Sequence, residues 1–286
     1  MSDPFDFERP PLRYAVIGNP VAHSKSPLIH AEFARQCGIR LEYTAIQVDP
    51  GGFEQAVGNF RAAGGRGLNV TLPFKLDAWR YADRLSGRAR RAGAVNTLKF
   101  EADGRAFGDN TDGVGLVRDL VDNLGADPAG RRVLVVGAGG AVRGVLAPLL
   151  ERGPVRLVIA NRTAEKAREL VAEFERVGAL EGSGLDQLQG SAFHLVINAT
   201  AASLSAEVPA LPQEIFAPGA LAYDLMYADR PTAFMIWAAA AGAARTADGL
   251  GMLVEQAAES FLLWHGVRPE TKGMIQALRR EAERTQ

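Results

Sequence analysis

The sequence has little that would support a disulfide, a nucleic-acid surface or an anionic membrane surface. It contains one cysteine, Cys37, among 286 residues, so no internal disulfide can form and a zinc site built from cysteines is excluded. A single thiol is typical of a reducing compartment, and we expect a cytoplasmic protein. The 32 Lys and Arg residues balance 33 Asp and Glu residues, and the net charge of −1 argues against binding to nucleic acid or to anionic lipid.

Long apolar runs and targeting signals are missing as well. The longest apolar stretch, residues 233–244, is shorter than the run of about 18 residues that a membrane-spanning helix needs, and it predicts a buried helix instead. The first ten residues are acidic and contain proline, so they do not resemble a secretory signal peptide. His23, beside a turn, is expected to be structural, and His30, His194 and His265 have no ligand-like spacing, so we expect no metal site.

Short apolar runs alternate with helix-like segments through most of the chain, in two blocks. The alternation predicts parallel sheets covered by helices, which is an α/β fold. The Asp103-Gly104 pair between two apolar runs predicts a β-hairpin in the first block. The predicted strands are residues 12–18, 41–48 and 68–71 in the first block, and 133–136, 155–160, 193–198 and 221–225 in the second.

A glycine-rich turn follows the first predicted strand of the second block. This turn, Gly137-Ala138-Gly139-Gly140-Ala141, precedes a predicted helix, as the phosphate loop of a dinucleotide-binding fold requires. The first glycine permits the tight turn, the second lets the backbone approach the pyrophosphate, and the helix N-terminus offers N–H groups to the anion. Val142 occupies the third glycine position, so we expect the helix to pack more loosely on the strand there, or to be shifted. Because such a motif alone is a weak signal, a glycine turn that binds no ligand is the alternative.

The next predicted strand ends without the carboxylate that usually holds the ribose 2′-hydroxyl of NAD. It ends instead in Asn161-Arg162-Thr163. The Arg162 guanidinium is suited to a phosphate, and Thr163 can donate to the same anion while capping the helix that follows. This tip predicts NADP rather than NAD, with an ordinary solvated arginine as the alternative.

Polar side chains gather at the strand ends of the first block, which has no glycine phosphate loop. Ligands of α/β folds bind beyond the carboxyl ends of the strands, so a pocket is expected there. Hydroxyls, amides, a lysine and an aspartate suit a small polyhydroxylated acid. Helix capping by the serines and a turn role for Asn96 are the alternatives. The residues are Ser24, Ser26, Asn69, Thr71, Lys75, Asn96 and Asp112.

Several of these motifs resemble the shikimate dehydrogenase family, in the family's order from about Tyr14 to Gly266. The motifs are His23-Ser24-Lys25-Ser26-Pro27, Asn69-Val70-Thr71-Leu72-Pro73-Phe74-Lys75, Gly93-Ala94-Val95-Asn96-Thr97, Gly108-Asp109-Asn110-Thr111-Asp112-Gly113, the glycine turn, Asn161-Arg162-Thr163 and Asp248-Gly249-Leu250-Gly251-Met252. The resemblance implies reversible NADP-dependent reduction of 3-dehydroshikimate to shikimate, a step towards chorismate and the aromatic amino acids.

The resemblance also implies the roles of individual residues. Lys75 is the expected acid/base and Asp112 its partner. The expected substrate ligands are Ser24, Ser26, Asn69, Thr71, Lys75, Asn96, Asp112, Tyr227 and Gln256. The expected NADP ligands are Gly137, Ala138, Gly139, Gly140, Ala141, Asn161, Arg162, Thr163, Lys166, Leu225 and Gly249.

The resulting prediction is an α/β protein of two domains. An N-terminal mixed-sheet substrate domain comprises residues 11–111 and is completed by the C-terminal helices of residues 248–286. A Rossmann-type NADP-binding domain comprises residues 112–247. We expect a small-molecule substrate, no nucleic-acid or membrane partner, and a monomer or homodimer. A quinate or aminoshikimate dehydrogenase and a non-catalytic NADP-sensing protein of the same fold are the alternatives.

Overall fold

The computed structural model describes residues 10–174, 180–200 and 207–284, and its backbone divides into two compact units. The first unit contains the described residues up to Thr111 together with Ala257–Met274. The second contains the described residues of Asp112–Gln256 and those from Ile275 onward. Across the described ranges, every helix is too short or too polar to cross a bilayer.

The first unit is a mixed six-stranded sheet with helices. Its strands are β1 (Leu12–Gly18), β2 (Leu41–Gln47), β3 (Gly65–Val70), β4 (Arg84–Leu85), β5 (Thr97–Phe100) and β6 (Ala106–Asp109), and its helices α1 (Ser26–Cys37), α2 (Phe53–Ala62), α3 (Lys75–Tyr81) and α4 (Gly87–Ala92). The strand order is β2-β1-β3-β5-β6-β4. Strand β5 is antiparallel to both β3 and β6, which confirms the predicted hairpin and mixed sheet.

The core of the first unit follows from the apolar periodicity of its sequence. Helix α2 buries Phe53, Val57 and Phe60, which lie at helical spacing on one face. They pack in one cluster with Ala15 and Ile17, alternate residues of β1 that point to the same face of the sheet. The sheet therefore has a packed apolar core against one face, and the loops that follow its strands extend from this packed sheet.

The second unit is a six-stranded parallel sheet. Its strands are β7 (Arg132–Val136), β8 (Arg156–Asn161), β9 (Leu180–Gly184), β10 (Phe193–Asn198), β11 (Phe216–Asp224) and β12 (Arg245–Asp248). The helices from this point of the chain are α5 (Asp112–Arg118), α6 (Gly140–Glu151), α7 (Ala164–Phe174), α8 (Ala233–Ala240), α9 (Leu250–His265) and α10 (Lys272–Arg284). A π-helical turn, Asp119–Asn123, follows α5.

The strand order of this sheet is β12-β11-β10-β7-β8-β9. Counted from β7, that order is the doubly wound arrangement of dinucleotide-binding folds, in which the strand order reverses beside the first strand. The predicted Rossmann-type fold is thus confirmed. The phosphate loop after β7 lies at this reversal, between β10 and β8.

Two strands of the second sheet are not predicted by the sequence pattern. β9 and β12 have the sequences LEGSG and RTAD, which lack the apolar run that predicts a buried strand. Both are edge strands, and each pairs along one side only, with β8 and β11 respectively. The neighbouring strand supplies their hydrogen bonds, so they need little strand propensity of their own.

The C-terminal segment, which the sequence analysis assigns wholly to the first domain, is shared between the two compact units. Residues 248–256 and the described part of 275–286 group with the second unit. Arg279 pairs with Asp248, and Asn123 donates to Glu255 over 3.0 Å, so both ends of the segment are tied to that unit by polar contacts. The predicted limits of the two functional domains stay a prediction.

Candidate active site

One edge of the first sheet collects the loops that carry the predicted substrate residues. Ile17 of β1 pairs with Val70 of β3, and Asn69 of β3 pairs with Thr97 of β5. Because β5 runs antiparallel to its neighbours, its first residue lies beside the last residues of β3 and β6. This edge therefore gathers the segments that hold Ser24, Ser26, Asn69, Thr71, Lys75 and Asn96.

The loop after β1 and the loop after β3 approach each other closely. A Cβ atom on Gly18 would lie 2.4 Å from the Thr71 methyl carbon, so only glycine permits this packing. The N–H of Thr71 donates to the carbonyl of Ile17 over 2.9 Å. The Ser24 hydroxyl accepts a hydrogen bond from the N–H of Ser26 over 3.3 Å. Ser24 therefore contacts the first residue of α1, which agrees with helix capping, the alternative to substrate binding given above.

Lys75 is the first residue of α3 and is half-buried. Its carbonyl oxygen accepts a hydrogen bond of 2.9 Å from the N–H of Val95. This bond ties the lysine backbone to the residue immediately before Asn96. The two predicted ligands therefore come from segments that are joined to each other within one unit.

The Asn69 amide is engaged by protein groups in the interior of the unit. Its Oδ1 accepts from the Tyr43 hydroxyl over 2.7 Å, and its Nδ2 donates to Ser260 over 3.0 Å and Thr97 over 3.2 Å. Burial raises the pKa of Tyr43 well above its ordinary value, with a hydrogen bond from Ser26 opposing the rise. Asn69 links its neighbours in this network, and its predicted contact with substrate stays a prediction.

An ion pair anchors the end of β6, three residues before Asp112. Arg88 holds the Asp109 carboxylate through two hydrogen bonds of 2.7 and 2.6 Å, and the Ser86 hydroxyl adds a third of 2.5 Å. Burial acts to raise the pKa of Asp109, but the Arg88 hydrogen bonds and charge outweigh it and hold the pKa below its ordinary value. Arg88 also contacts Glu259 over 3.1 Å.

The glycine turn after β7 has the conformation that the sequence predicts. Gly137 has φ of +116°, which disfavours any residue with a side chain. Its N–H donates to the carbonyl of Ala160 over 2.8 Å, which fixes the turn to β8. Around the Cβ positions of Gly139 and Gly140 there is no heavy atom within 4 Å among the described residues, so space is open at the start of α6. An anion fits there, against the helix N-terminus.

The packing of Val142 explains how the glycine turn can form without a glycine at its third position. Its side chain is completely buried and packs in the cluster that contains Val135 and Ile159. The valine therefore fills the space between helix and sheet that a third glycine would leave to close backbone packing.

The residues that follow β8 provide two cationic side chains near the glycine turn. Arg162, Thr163 and Lys166 are exposed, and within the described ranges the side chains of Arg162 and Lys166 form no ion pair. Asn161 donates through Nδ2 to the carbonyl of Thr163 over 2.9 Å, which shapes the tip. Two cations beside a phosphate loop suit a dinucleotide that carries an extra phosphate.

Leu225 and Gly249 lie against each other at the end of the second sheet. A Cβ on Gly249 would lie 2.2 Å from the Leu225 carbonyl oxygen, so glycine is required for this approach. The buried Asp224 carboxylate accepts from the Thr232 hydroxyl over 2.7 Å and from the N–H of Met226 over 3.1 Å. These bonds set the backbone that leads to Tyr227.

Three predicted substrate residues belong to the second unit. Asp112 is the first residue of α5 and is buried. Burial, followed by the charge of Asp229, raises the pKa of Tyr227. Gln256 donates through Nε2 to the carbonyl of Leu253 over 2.8 Å, and its predicted contact with substrate stays a prediction. Lys75 lies in the first unit and Asp112 in the second, so their catalytic pairing stays a prediction.

Sequence reasoning missed three residues that organise this site. The sequence patterns do not indicate a role for these residues, although each contacts a polar residue at the strand ends. They are Tyr43, Arg88 and Ser260. Only Ser260 has a usable signal. It lies four residues after Gln256 on a helix whose neighbouring positions Ala257 and Phe261 are fully buried, and a polar residue in such a stripe needs a partner.

The fold and the site together define a two-unit α/β dinucleotide-binding oxidoreductase with a separate unit for a polar ligand. Family descriptions match along the chain: the shikimate dehydrogenase substrate binding domain at residues 16–98, shikimate / quinate 5-dehydrogenase at residues 119–207, and the shikimate 5′-dehydrogenase C-terminal domain at residues 249–279. The chain belongs to the shikimate dehydrogenase family.

Individual relatives cover almost the whole chain. It is 59% identical to the shikimate dehydrogenase (NADP(+)) of Methylococcus capsulatus over 96% of its length and 98% of that protein. Among solved structures, an Ael1 enzyme from Pseudomonas putida is 51% identical, with a TM-score of 0.89 over 93% of this chain and 98% of that one. A shikimate 5-dehydrogenase from Thermus thermophilus, in complex with NADP(H) and shikimate, is 37% identical, with a TM-score of 0.82 over 95% and 99%.

Proposed function

We propose that this protein catalyses the reversible, NADP-dependent reduction of 3-dehydroshikimate to shikimate, a step in the synthesis of chorismate and the aromatic amino acids. One observation carries the proposal. A lysine, two serines, a threonine and two asparagines gather at one edge of the first sheet, in a chain that is 59% identical to a shikimate dehydrogenase (NADP(+)). This set of donors and acceptors suits a small acid with several hydroxyl groups.

The second unit supports NADP as the cofactor. Gly137 forms the turn, and no described residue lies within 4 Å of the Cβ positions of Gly139 and Gly140 beyond their own chain neighbours, which supports binding of a pyrophosphate at the N-terminus of α6. Arg162, with Thr163 and Lys166, follows β8, and we propose that these residues bind the 2′-phosphate. Ala138 and Ala141 complete the loop, and Asn161, Leu225 and Gly249 complete the proposed set.

The residues of the chain have distinct tasks in the proposed reaction. When bound, NADPH supplies a hydride to the ketone carbon of the substrate. The Lys75 ammonium stabilises the negative charge that develops on the ketone oxygen and donates a proton to it. Asp112 orients Lys75 and accepts a hydrogen bond from a substrate hydroxyl. Ser24, Ser26, Asn69, Thr71, Asn96, Tyr227 and Gln256 hold the remaining substrate groups.

Quinate is the second candidate substrate, because one matching family description names both shikimate and quinate. The two acids differ at the ring rather than at the carboxylate, so the same donors can hold either. We further propose that the enzyme acts in the cytoplasm as a monomer or homodimer, without nucleic-acid or membrane partners.

Steady-state oxidation of shikimate tests the function. Wild-type protein should turn over shikimate with NADP, more slowly with NAD, and prefer shikimate to quinate. Lys75→Ala should lower kcat by about 10²- to 10⁴-fold, because it removes the acid/base, while shikimate still binds in equilibrium titrations. Lys272→Ala, at an exposed lysine that begins α10, is the matched control and should behave as wild type.

Two outcomes would reject parts of this proposal. A wild-type preference for quinate with NAD would overturn the substrate and cofactor assignment. A Lys75→Ala variant with unchanged kcat would reject the catalytic role of the lysine and leave the overall reaction standing.

A further inference from the structure

A buried polar cluster in the first unit includes two of the proposed substrate residues, Asn69 and Asn96. It consists of two amides and three hydroxyls, and all five residues are at most 6% exposed. The Ser260 hydroxyl lies 2.8 Å from that of Thr97 and 3.3 Å from that of Thr111. We call this the hydroxyl cluster. Its members are Asn69, Asn96, Thr97, Thr111 and Ser260.

Thr111 contacts both ends of the Asn96 amide. Its backbone N–H donates to Asn96 Oδ1 over 2.9 Å. Its hydroxyl accepts from Asn96 Nδ2 over 2.8 Å and lies 3.2 Å from Oδ1. Thr111 therefore contacts both the oxygen and the nitrogen of the amide, and it directly precedes Asp112 in the chain.

The backbone contact determines which way the amide faces. An N–H group can only donate, so the Asn96 atom that meets the Thr111 N–H must be an acceptor. Rotating the amide by half a turn would place its NH₂ group against that N–H and leave both donors buried without an acceptor, which is costly in an interior. Thr97 adds a second contact of 2.9 Å to the same oxygen.

Ser260 holds Thr111 in this position from the other side. It belongs to α9, which is separated from Thr111 by 149 residues along the chain. Because Ser260 also accepts from Asn69, the helix, β3 and the end of β6 are joined through one hydroxyl. Contacts from residues distant in the chain therefore add to the contact from the adjacent Thr97 in setting the orientation of Asn96.

We infer that Thr111 is a positioning residue, which fixes the Asn96 amide in the orientation that binds substrate. The inference rests on the proposed function, because it takes Asn96 as a substrate ligand. Thr111 itself is completely buried, and its proposed effect on substrate passes through Asn96. Loss of its hydroxyl removes an acceptor of Asn96 Nδ2 and so holds the amide less firmly in this orientation, which weakens ground-state and transition-state binding equally and raises KM without lowering kcat.

The test compares Thr111→Val, which has the same shape without the hydroxyl, with Thr111→Ser, which keeps it. We expect Thr111→Val to raise the KM for shikimate about three- to tenfold, the effect of one lost hydrogen bond, with kcat and the KM for NADP within about twofold of wild type. Thr111→Ser should retain the wild-type KM, although it removes a buried methyl group and lowers the Tm.

A double variant tests whether Thr111 acts through Asn96. Asn96→Ala should raise the KM by itself, and adding Thr111→Val to it should change the KM no further, because the group that Thr111 positions is gone. If Thr111→Val does not fold, Thr111→Ala removes the same hydroxyl without adding a methyl group and should show the same KM increase and the same lack of additivity.

The possible failures are distinguishable. A wild-type KM in Thr111→Val, an equal defect in Thr111→Ser, or a full additional loss in the Asn96→Ala background would overturn the inference and leave the proposed function intact. Wild-type protein that does not turn over shikimate would reject the proposed function, and the inference with it.

Discussion

His30 lies at the centre of an aromatic cluster in the first unit. Its ring stacks on Tyr43 with centroids 4.3 Å apart, and Trp264 lies 5.3 Å away. Neither ring nitrogen meets hydrogen-bond geometry with a described residue. Burial, followed by the charge of His265, lowers the pKa of His30 to about 3, and an interaction with Asn69 only weakly opposes the shift. The cluster therefore requires a neutral imidazole.

This pKa shift predicts a pH-dependent stability. In the unfolded chain His30 takes up a proton near its ordinary pKa, whereas the folded state resists it, so stability is complete above about pH 6.5 and falls as the pH drops towards 3. The loss approaches about 1.4 kcal/mol per pH unit within that window. His30→Phe should remove this part of the pH dependence, measured as the free energy of unfolding in urea followed by tryptophan fluorescence.

Two other histidines serve as references for that measurement. His265, whose pKa burial lowers to about 4, remains in the variant and keeps its own share of the pH dependence. His23 is exposed, so His23→Phe should retain the wild-type slope. A His30→Phe variant whose stability changes with pH as steeply as wild type would contradict the prediction.

At the scale of elements, the glycine turn between β7 and α6 contains one glycine that the fold requires and another that cofactor binding is expected to require. Gly137 needs glycine for its backbone, since a Cβ there would also lie 3.1 Å from the Ala199 carbonyl oxygen. Gly139 has φ of −90°, and no described residue lies within 4 Å of its Cβ position beyond its own chain neighbours, so its backbone accepts alanine. The two glycines of one motif therefore have different reasons to be glycine.

A pair of alanine variants tests this separation. Gly137→Ala should lower the free energy of unfolding by about 1–3 kcal/mol, the cost of a strained backbone. Gly139→Ala should change it by less than about 0.5 kcal/mol, as a surface substitution does. It should nevertheless weaken NADP binding about tenfold or more, because the methyl group occupies the space of the pyrophosphate. Urea unfolding and equilibrium titration with NADP measure the two quantities.

The same two measurements show how that assignment could fail. Tight NADP binding by Gly139→Ala would place the pyrophosphate elsewhere. Undiminished stability of Gly137→Ala would mean that the turn adopts another conformation.

At the scale of the whole molecule, the chain builds two units that each have their own sheet and core. The first packs around Ile17 and Phe74, and the second has apolar clusters on both faces of its parallel sheet, around Val135 and Val136. A ligand that binds one unit stabilises that unit by mass action. Stability measured with and without cofactor therefore reports which unit binds it.

We expect NADP to stabilise the second unit. At about 100 times its Kd, NADP should add about 2.7 kcal/mol to the free energy of unfolding of that unit. NAD at the same concentration should add less, because it lacks the phosphate that Arg162 is proposed to bind. Calorimetry with each nucleotide checks this, and equal stabilisation by NAD would contradict the NADP assignment.

Much of the fold and part of the site follow from the sequence alone. Alternating apolar runs predict the parallel strands, Asp103-Gly104 predicts the hairpin, and the glycine turn predicts the phosphate loop; the structure has all three. These features are readable because burial periodicity and the backbone freedom of glycine are local properties. The polar strand ends are readable for the same reason, although the roles of their side chains are not.

Tertiary structure alone decided the rest. β9 and β12 are strands because a neighbouring strand pairs with them, and Arg88 acts at the site because β6 brings Asp109 to it. Ser260 meets Asn69 across 191 residues of chain. A hydrogen bond between such distant groups forms only when the packed core brings them together, and no local pattern of residues encodes that distance.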